Sequence, residues 1–580
     1  MNTFPPISRR MTPWSCPIVL LWLAQAAQAE VVYTGLTEAQ EQNARALMPL
    51  ASTACDTGPW RVERLYRDAE GNLRRALQAL GYYNIVVDAT LEWGEDCWRA
   101  TFAVTTGEPV RLRNVDVRID GDAGDDPGFL DAIAVPRPAP GDVLDHGVYE
   151  SYKAALFNAA DARGYFDADF RDNRVTVVPD ERAADLVLHF DSGPRYRFSD
   201  VRFTDGILRE RLLQNYSDIR PGDAYSSNAL VELSESLDGS GYFESVSINT
   251  DPRDEEAHTV PVDVRLTAAK RRVYTIGLGF ATDTGPQGRL GYINRRRNDR
   301  GHQFESRLFG SAVKSELTAS YRWPLRDPRK EWFSVNAGAQ REDTDTSEND
   351  TFKLGIQRTR SLSTRWIETH YADFAYERFT IGDQDTDSRL VIVGVSREST
   401  VGRNFRRTVR GRRLHLDLRG ATDALGSDTN FLQFTASGTW LRPLGEKNRA
   451  ILRTKLGTTV LDKLTELPAS VRFFAGGDRS VRGYDFESLG PRDDAGLVIG
   501  GSRLVELSIE FDRLFRENWA VAAFVDTGSA FRGSEPEFST GAGIGLRWYS
   551  PVGPVRFDVA HPFDDPDQDF RIHISLGPDL

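Results

Sequence analysis

The chain has 580 residues and a formal net charge of −13 at neutral pH. That length exceeds one ordinary domain, so several are expected, and the acidic balance argues against a nucleic-acid partner, which would need a basic face. Beyond the N-terminal leader no stretch approaches about 18 consecutive apolar residues, so no transmembrane helix is expected there, leaving a soluble protein or a β-barrel.

The leader, residues 1–29, reads as a secretory signal peptide. Arg9 and Arg10 supply charge, Pro17 to Ala24 an apolar run, and Ala27-Gln28-Ala29 a small-residue cleavage site before Glu30. Cys16 precedes the apolar run instead of ending it, so a lipoprotein anchor does not fit. The two remaining cysteines, Cys55 and Cys97, are expected to form a disulfide in an oxidising compartment. A redox or metal site there lacks a nearby second pair of ligands.

Residues 30 to 268 carry an internal repeat with a period of about 80 residues. Gly81-Tyr82-Tyr83, Gly164-Tyr165-Phe166 and Gly241-Tyr242-Phe243 each follow a segment of helical period. In the first such segment Val62, Leu65, Ala69, Leu73, Leu77 and Leu80 share a face. The glycine suits a left-handed C-cap, and the aromatic after it is expected to fold back onto the helix. Pro140-Gly141-Asp142 and Pro221-Gly222-Asp223 precede the second and third helices, and two strand-like runs follow each Gly-aromatic pair. The order strand, helix, helix, strand, strand resembles the POTRA domain, with units at 30–106, 107–192 and 193–268. That resemblance implies periplasmic modules that capture extended chains by adding them to a sheet edge. Inert α+β spacers are the alternative.

From residue 269 to 580 the pattern becomes period two. Tyr274, Ile276, Leu278 and Phe280 alternate with Thr275, Gly277 and Gly279; Ile572, Ile574 and Leu576 alternate with His573, Ser575 and Gly577. One apolar and one polar face is the pattern of a membrane barrel with a wet lumen; a soluble sandwich could alternate similarly. At about 19 residues per strand and connection, this segment gives about 16 antiparallel strands. Strands are expected at 499–512, 518–528, 538–549, 554–562 and 570–577. In this register Leu507, Ile509, Phe511, Val521 and Val525 face lipid, while Glu506, Glu510, Asp512, Phe524 and Asp526 face the lumen.

One connection breaks the alternation. Phe474 to Arg492 is glycine-rich, charged and long for a hairpin turn, and by parity it leaves from the extracellular rim. Its Val481-Arg482-Gly483-Tyr484, together with Phe524-Val-Asp526-Thr-Gly528 and Gly543 to Arg556, resembles the barrel motifs of the BamA/TamA (bacterial surface antigen) family of outer-membrane assembly proteins. The count of three POTRA-like units points to the TamA branch. The resemblance implies that Arg482, Gly483 and Tyr484 fold into the barrel and that Arg482 pairs with Asp526 and Glu510. A solvated loop arginine is the alternative.

No P-loop, H-E-x-x-H or G-x-S-x-G motif is present, and the eight histidines show no ligand spacing. A non-enzymatic protein without a cofactor is therefore expected. Asp565, Asp567 and Asp569 could ligate Ca²⁺ but more simply form a solvated turn. Arg295-Arg296-Arg297 could touch lipopolysaccharide or belong to a basic loop or lumen face. The glycines of the first barrel strand and the short last strand mark their junction as a weak seam, at Tyr274, Gly277, Gly279, Ile572, Ser575 and Gly577, with Gly277 expected within a residue or two of Ser575 and Gly279 and His573 as the alternatives of the same parity. The resulting expectation is an ATP-independent insertase in the outer membrane, with its N-terminal domains in the periplasm. It would assemble barrel proteins or autotransporters by POTRA capture and lateral opening. The resemblance further implies an inner-membrane-anchored TamB-like partner, unfolded outer-membrane clients and outer-membrane lipid. A passive porin-like or two-partner secretion channel, or a lipid-transport component, is the alternative.

Overall fold

The computed structural model describes residues 29–95, 97–204, 207–402, 404, 407–551, 553–565 and 569–577. All of the expected leader except Ala29 lies outside them, as does Asp567. Among the described residues no helix is long and apolar enough to cross a membrane.

The first repeat unit follows the order expected. Strand Glu30–Thr34 leads to helices Glu38–Leu47 and Pro59–Gln78, then to strands Val86–Trp93 and Trp98–Thr105. The first strand runs parallel beside the last, with Val31 opposite Ala100, and the last two form an antiparallel pair. Thr37 and Gln40 form a capping box at the first helix. The second helix has Pro59 in its first turn, where a missing N–H costs nothing, and buries Val62, Ala69, Leu73 and Leu77 against Trp98 and Phe102. Cys55 and Cys97 are joined, with 5.1 Å between their Cα atoms, tying the segment before the second helix to the last strand.

The second unit repeats this plan with strands Arg111–Asp120, Asp169–Val178 and Ala183–Asp191. The third does so with Arg197–Thr204, Phe243–Asn249 and Thr259–Ala268. In all three units the first strand lies next to the last. Gly81, Gly164 and Gly241 have φ of 89°, 85° and 74°, which is why the repeat places glycine there. Tyr165 and Tyr242 behind them are buried. Tyr242 differs from the expected aromatic: besides packing, it donates its hydroxyl to the carbonyl of Gly301 in a barrel turn.

Sixteen antiparallel strands, from Arg272–Ala281 to Arg571–Leu576, close into a barrel. The alternation read from the sequence sets its two faces. Tyr274, Ile276, Leu278, Ile509 and Val525 are exposed on the outside, whereas Glu506, Glu510, Phe524 and Asp526 are buried within. Trp519 stacks on Trp548 with ring centroids 5.8 Å apart, and Trp323 lies 4.9 Å from Phe333. These residues flank turns on the periplasmic side and form part of an aromatic girdle.

The third unit contacts those turns. Arg329 forms a forked pair with Asp218, at 2.5 and 2.9 Å, and Arg209 Nε lies 2.8 Å from Asp299. Arg295, Arg296 and Arg297 sit in the same periplasmic turn as Asp299, where Arg295 reaches the carbonyl of Gly241 at 3.5 Å. This corrects the lipopolysaccharide reading, because that lipid would meet the opposite rim.

Candidate functional site

The connection between strands Asn448–Leu461 and Arg503–Arg516 returns into the barrel. It is folded, not loose: Phe473 pairs with Gly501, Ala475 with Leu489 and Arg492 with Val498. Gly476, Gly477 and Gly483 take φ of 103°, 106° and 104°, a region that penalises any side chain. Buried Arg472 braces the base, donating to the carbonyls of Leu467 at 2.7 Å and Ile499 at 3.0 Å.

At the tip, Arg482 is fully engaged. Its Nε and Nη2 meet the two oxygens of Asp526 at 2.6 and 3.0 Å, a fork that fits a planar guanidinium to a carboxylate. Its Nη1 reaches Glu510 at 3.0 Å and Asp558 at 3.1 Å. Its Cζ lies 3.4 Å from the centroid of the Phe524 ring, a cation–π contact. Arg547 completes the cluster, holding the other oxygens of Glu510 and Asp558, and Arg453 stands 3.5 Å from Glu510. Three cations thus face three carboxylates in a site screened from water, so no single charge is left uncompensated.

The wall is shaped for this loop by small residues. A Cβ on Gly541 would overlap the Arg482 carbonyl oxygen, and one on Gly528 would stand 2.8 Å from Val481. A Cβ on Gly483 itself would meet the Pro562 backbone nitrogen at 3.2 Å. The Gly483 N–H donates to His573 Nε2 at 2.9 Å, and the Tyr484 hydroxyl donates to the Thr540 carbonyl at 3.2 Å. The expected latch residues Arg482, Gly483, Tyr484, Asp526 and Glu510 therefore come together. Asp558, Arg547 and His573 were not assigned to the latch from sequence, although each sits at a lumen-facing parity on one of the three strands that follow the one bearing Asp526. Asp512, expected in the lumen, is buried there but lies outside this cluster, paired with Arg407 and Arg449. Cavities of 320 and 530 Å³ flank the loop, both lined by Asp478, Arg479 and Ser480.

The seam residues need one correction. The first and last strands pair at a single register position among the described residues, Ala281 with Ser575. The Thr282 N–H donates to the Ile574 carbonyl at 3.0 Å, and the Ile574 N–H donates to the Thr282 hydroxyl at 2.6 Å. Gly277 does not face Ser575; it lies four residues further along the strand. Among the described residues the last strand meets only the extracellular end of the first. Among the described residues, the first strand between Arg272 and Phe280 bonds only its other neighbour, Gly285–Asn294, while Tyr274 and Ile572 point outward. Gly577 continues the pairing with the preceding strand through the Pro554 carbonyl.

Residues 289–579 match the Omp85 superfamily domain. The chain belongs to the Omp85 superfamily. Residues 30–106 match the first POTRA domain of TamA and 196–269 the POTRA repeat of surface antigens, which supports the BamA/TamA family read from the loop motif. It is an outer-membrane β-barrel protein with periplasmic POTRA domains. The chain is 24% identical over 584 residues to the outer membrane protein assembly factor BamA of Neisseria meningitidis serogroup B, covering 86% of this chain and 70% of that protein. It is 22% identical over 582 residues to BamA of Nitratidesulfovibrio vulgaris, covering 92% and 70%. The crystal structure of Haemophilus ducreyi BamA lacking POTRA domains 1–3 superposes with a TM-score of 0.67 at 16% identity, over 81% of this chain and 99% of that one. This likeness speaks for the fold.

Proposed function

We propose that this Omp85 protein is an insertase that passes outer-membrane clients through its seam into the bilayer. The observation that carries the proposal is the seam itself. One strand of the closed sheet leaves the backbone groups of Arg272 to Phe280 without a partner on one side among the described residues. An unpaired strand edge is a template for another strand, and in hydrocarbon each unsatisfied backbone group costs several kcal/mol. Both terms favour a client strand that adds there. The POTRA sheets, each with two edge strands, offer the same mode of capture before insertion. No nucleotide enters this scheme: binding energy and the exposed edge do the work.

Unfolded barrel proteins or autotransporters are the proposed clients, and an inner-membrane-anchored TamB-like protein the proposed partner at the POTRA domains. A passive channel is disfavoured by the folded loop that Arg482 pins inside the lumen. The test is reconstitution into liposomes with a urea-unfolded outer-membrane barrel as client. Insertion well above the rate of protein-free liposomes, with little single-channel conductance, is expected. Steady conductance with no acceleration of insertion would overturn the proposal in favour of a pore.

A further inference from the structure

The sparse strand pairing at the seam raises the question of what keeps the barrel closed. Asp478, six residues from the latch tyrosine, touches both sides of the gap. Its backbone N–H donates to the carboxylate of Asp283, in the turn after the first strand. Its own carboxylate meets Nδ1 of His573, in the last strand. The opposite ring nitrogen of His573 accepts the Gly483 N–H at 2.9 Å. Arg571, also in the last strand, pairs with Asp485 of the same loop. The last strand is thus anchored to the loop at two side chains, and the loop is anchored to the first hairpin.

We propose that Asp478 and His573 are positioning residues that clasp the exit seam, so that the loop, more than strand pairing, holds it shut. Among the described residues, direct pairing supplies one register position flanked by three hydrogen bonds between Thr282 and Ile574. The clasp adds a continuous path from Asp283 through Asp478 to His573 and Gly483, ending beside Arg482. Loop and seam are therefore one mechanical unit: a loop that lifts from the wall releases the last strand as well.

The ligand atoms of Asp283, Asp478 and His573 also lie within 4.8 Å of one another, a spacing that could hold a metal ion. The hydrogen bonds argue for a direct link instead. The Gly483 N–H occupies the Nε2 lone pair, which places the ring proton on Nδ1, where it donates to Asp478. A ligating nitrogen would need that position bare.

The inference concerns what closes the seam, which the proposed function uses as its exit, and its test reads the seam without any client. A failed clasp would leave the insertase reading standing, and a failed insertion assay would leave the clasp standing. The measurement is hydrogen exchange of the full-length protein in lipid nanodiscs, comparing wild type with Asp478→Ala, Asp478→Asn and Asp283→Ala. Asparagine keeps a carbonyl oxygen for the His573 N–H, whereas alanine removes it. Asp478→Ala is expected to speed exchange in 272–281 and 571–576 roughly tenfold, the scale of a lost hydrogen bond to a charged group. Asp478→Asn should stay near wild type, and Asp283→Ala should accelerate the same two strands. Should Asp478→Ala fail to fold, Asp283→Ala carries the test, since it leaves the His573 link in place. Unchanged exchange in the alanine variants would overturn the clasp. So would an asparagine variant as fast as alanine, or wild-type protection that EDTA removes and Zn²⁺ restores.

Discussion

Arg482→Ala removes four charged hydrogen bonds at once, but their loss is not shared evenly. Glu510 keeps Arg547 and Arg453, and Asp558 keeps Arg547. Asp526 keeps only the backbone N–H of residue 482, at 3.2 Å, although its side chain is as buried as any in the barrel. Breaking a buried pair by deleting one partner costs about 3–5 kcal/mol, mostly because the survivor is left uncompensated. The expected cost of Arg482→Ala is therefore about 3–5 kcal/mol, located at Asp526. Asp526→Ala should cost less, because Arg482 keeps Glu510 and Asp558 through Nη1 and loses only the acceptors of Nε and Nη2. The double variant should then cost clearly less than the sum of the two, by more than about 1 kcal/mol, because neither charge remains unpaired. Urea unfolding in detergent micelles measures all three, and protease digestion from outside reports the loop, with faster cleavage within 474–492 expected in each single variant. Additive costs, or single variants that unfold and digest like wild type, would refute the latch.

Gly541→Val should reproduce the protease-sensitive loop without touching a charge, since its Cβ overlaps the Arg482 carbonyl oxygen. Gly288→Ala, with open space around its Cβ, should leave digestion unchanged. Reducing the Cys55–Cys97 bond should destabilise the first POTRA unit by about 4 kcal/mol in the chain-entropy model for a separation of 42 residues; hydrogen exchange should rise within 30–105 and stay unchanged in the barrel. The hydrogen bond from Arg329 holds the Asp218 carboxyl below its usual range, against partial burial. A depressed carboxylate stabilises the folded contact above its unfolded value, about 3.9, and loses that contribution as pH falls through the folded value. A fluorescence distance between the third unit and the turn at 325–330 should therefore hold from pH 8 to pH 5 and lengthen only below about pH 4.

Much of the architecture was legible because its physics is periodic. Period-two alternation in Tyr274 to Phe280 and in Glu506 to Asp512 has one cause, lipid on one side and lumen on the other, so side-chain direction could be read without coordinates. The Gly-aromatic repeat had a similarly local cause in the left-handed C-cap. The latch was legible only in part. Asp526 and Glu510 came from the resemblance, while Asp558 and Arg547 depend on which strands neighbour one another around a closed barrel, which no local pattern encodes. His573 was legible only as a lumen-facing neighbour of the seam, because its part in the latch lies in a backbone N–H from a loop ninety residues earlier in the chain. The seam register failed for a related reason. Strand stagger at closure follows from the barrel's shear, so Ser575 meets Ala281 and not Gly277.

The central claim, that the seam must open for the protein to work, is tested most directly by a covalent bond across it. Ala281 and Ser575 are partners in register, within the reach that a disulfide requires, so Ala281→Cys with Ser575→Cys should crosslink readily, and Gly277→Cys with Ser575→Cys should not. In reconstituted liposomes, with wild type carried through the same redox cycle, the oxidised barrel should keep its heat-modifiable mobility and stop inserting clients, and reductant should restore insertion. An oxidised, crosslinked barrel that inserts clients at the wild-type rate would contradict the account.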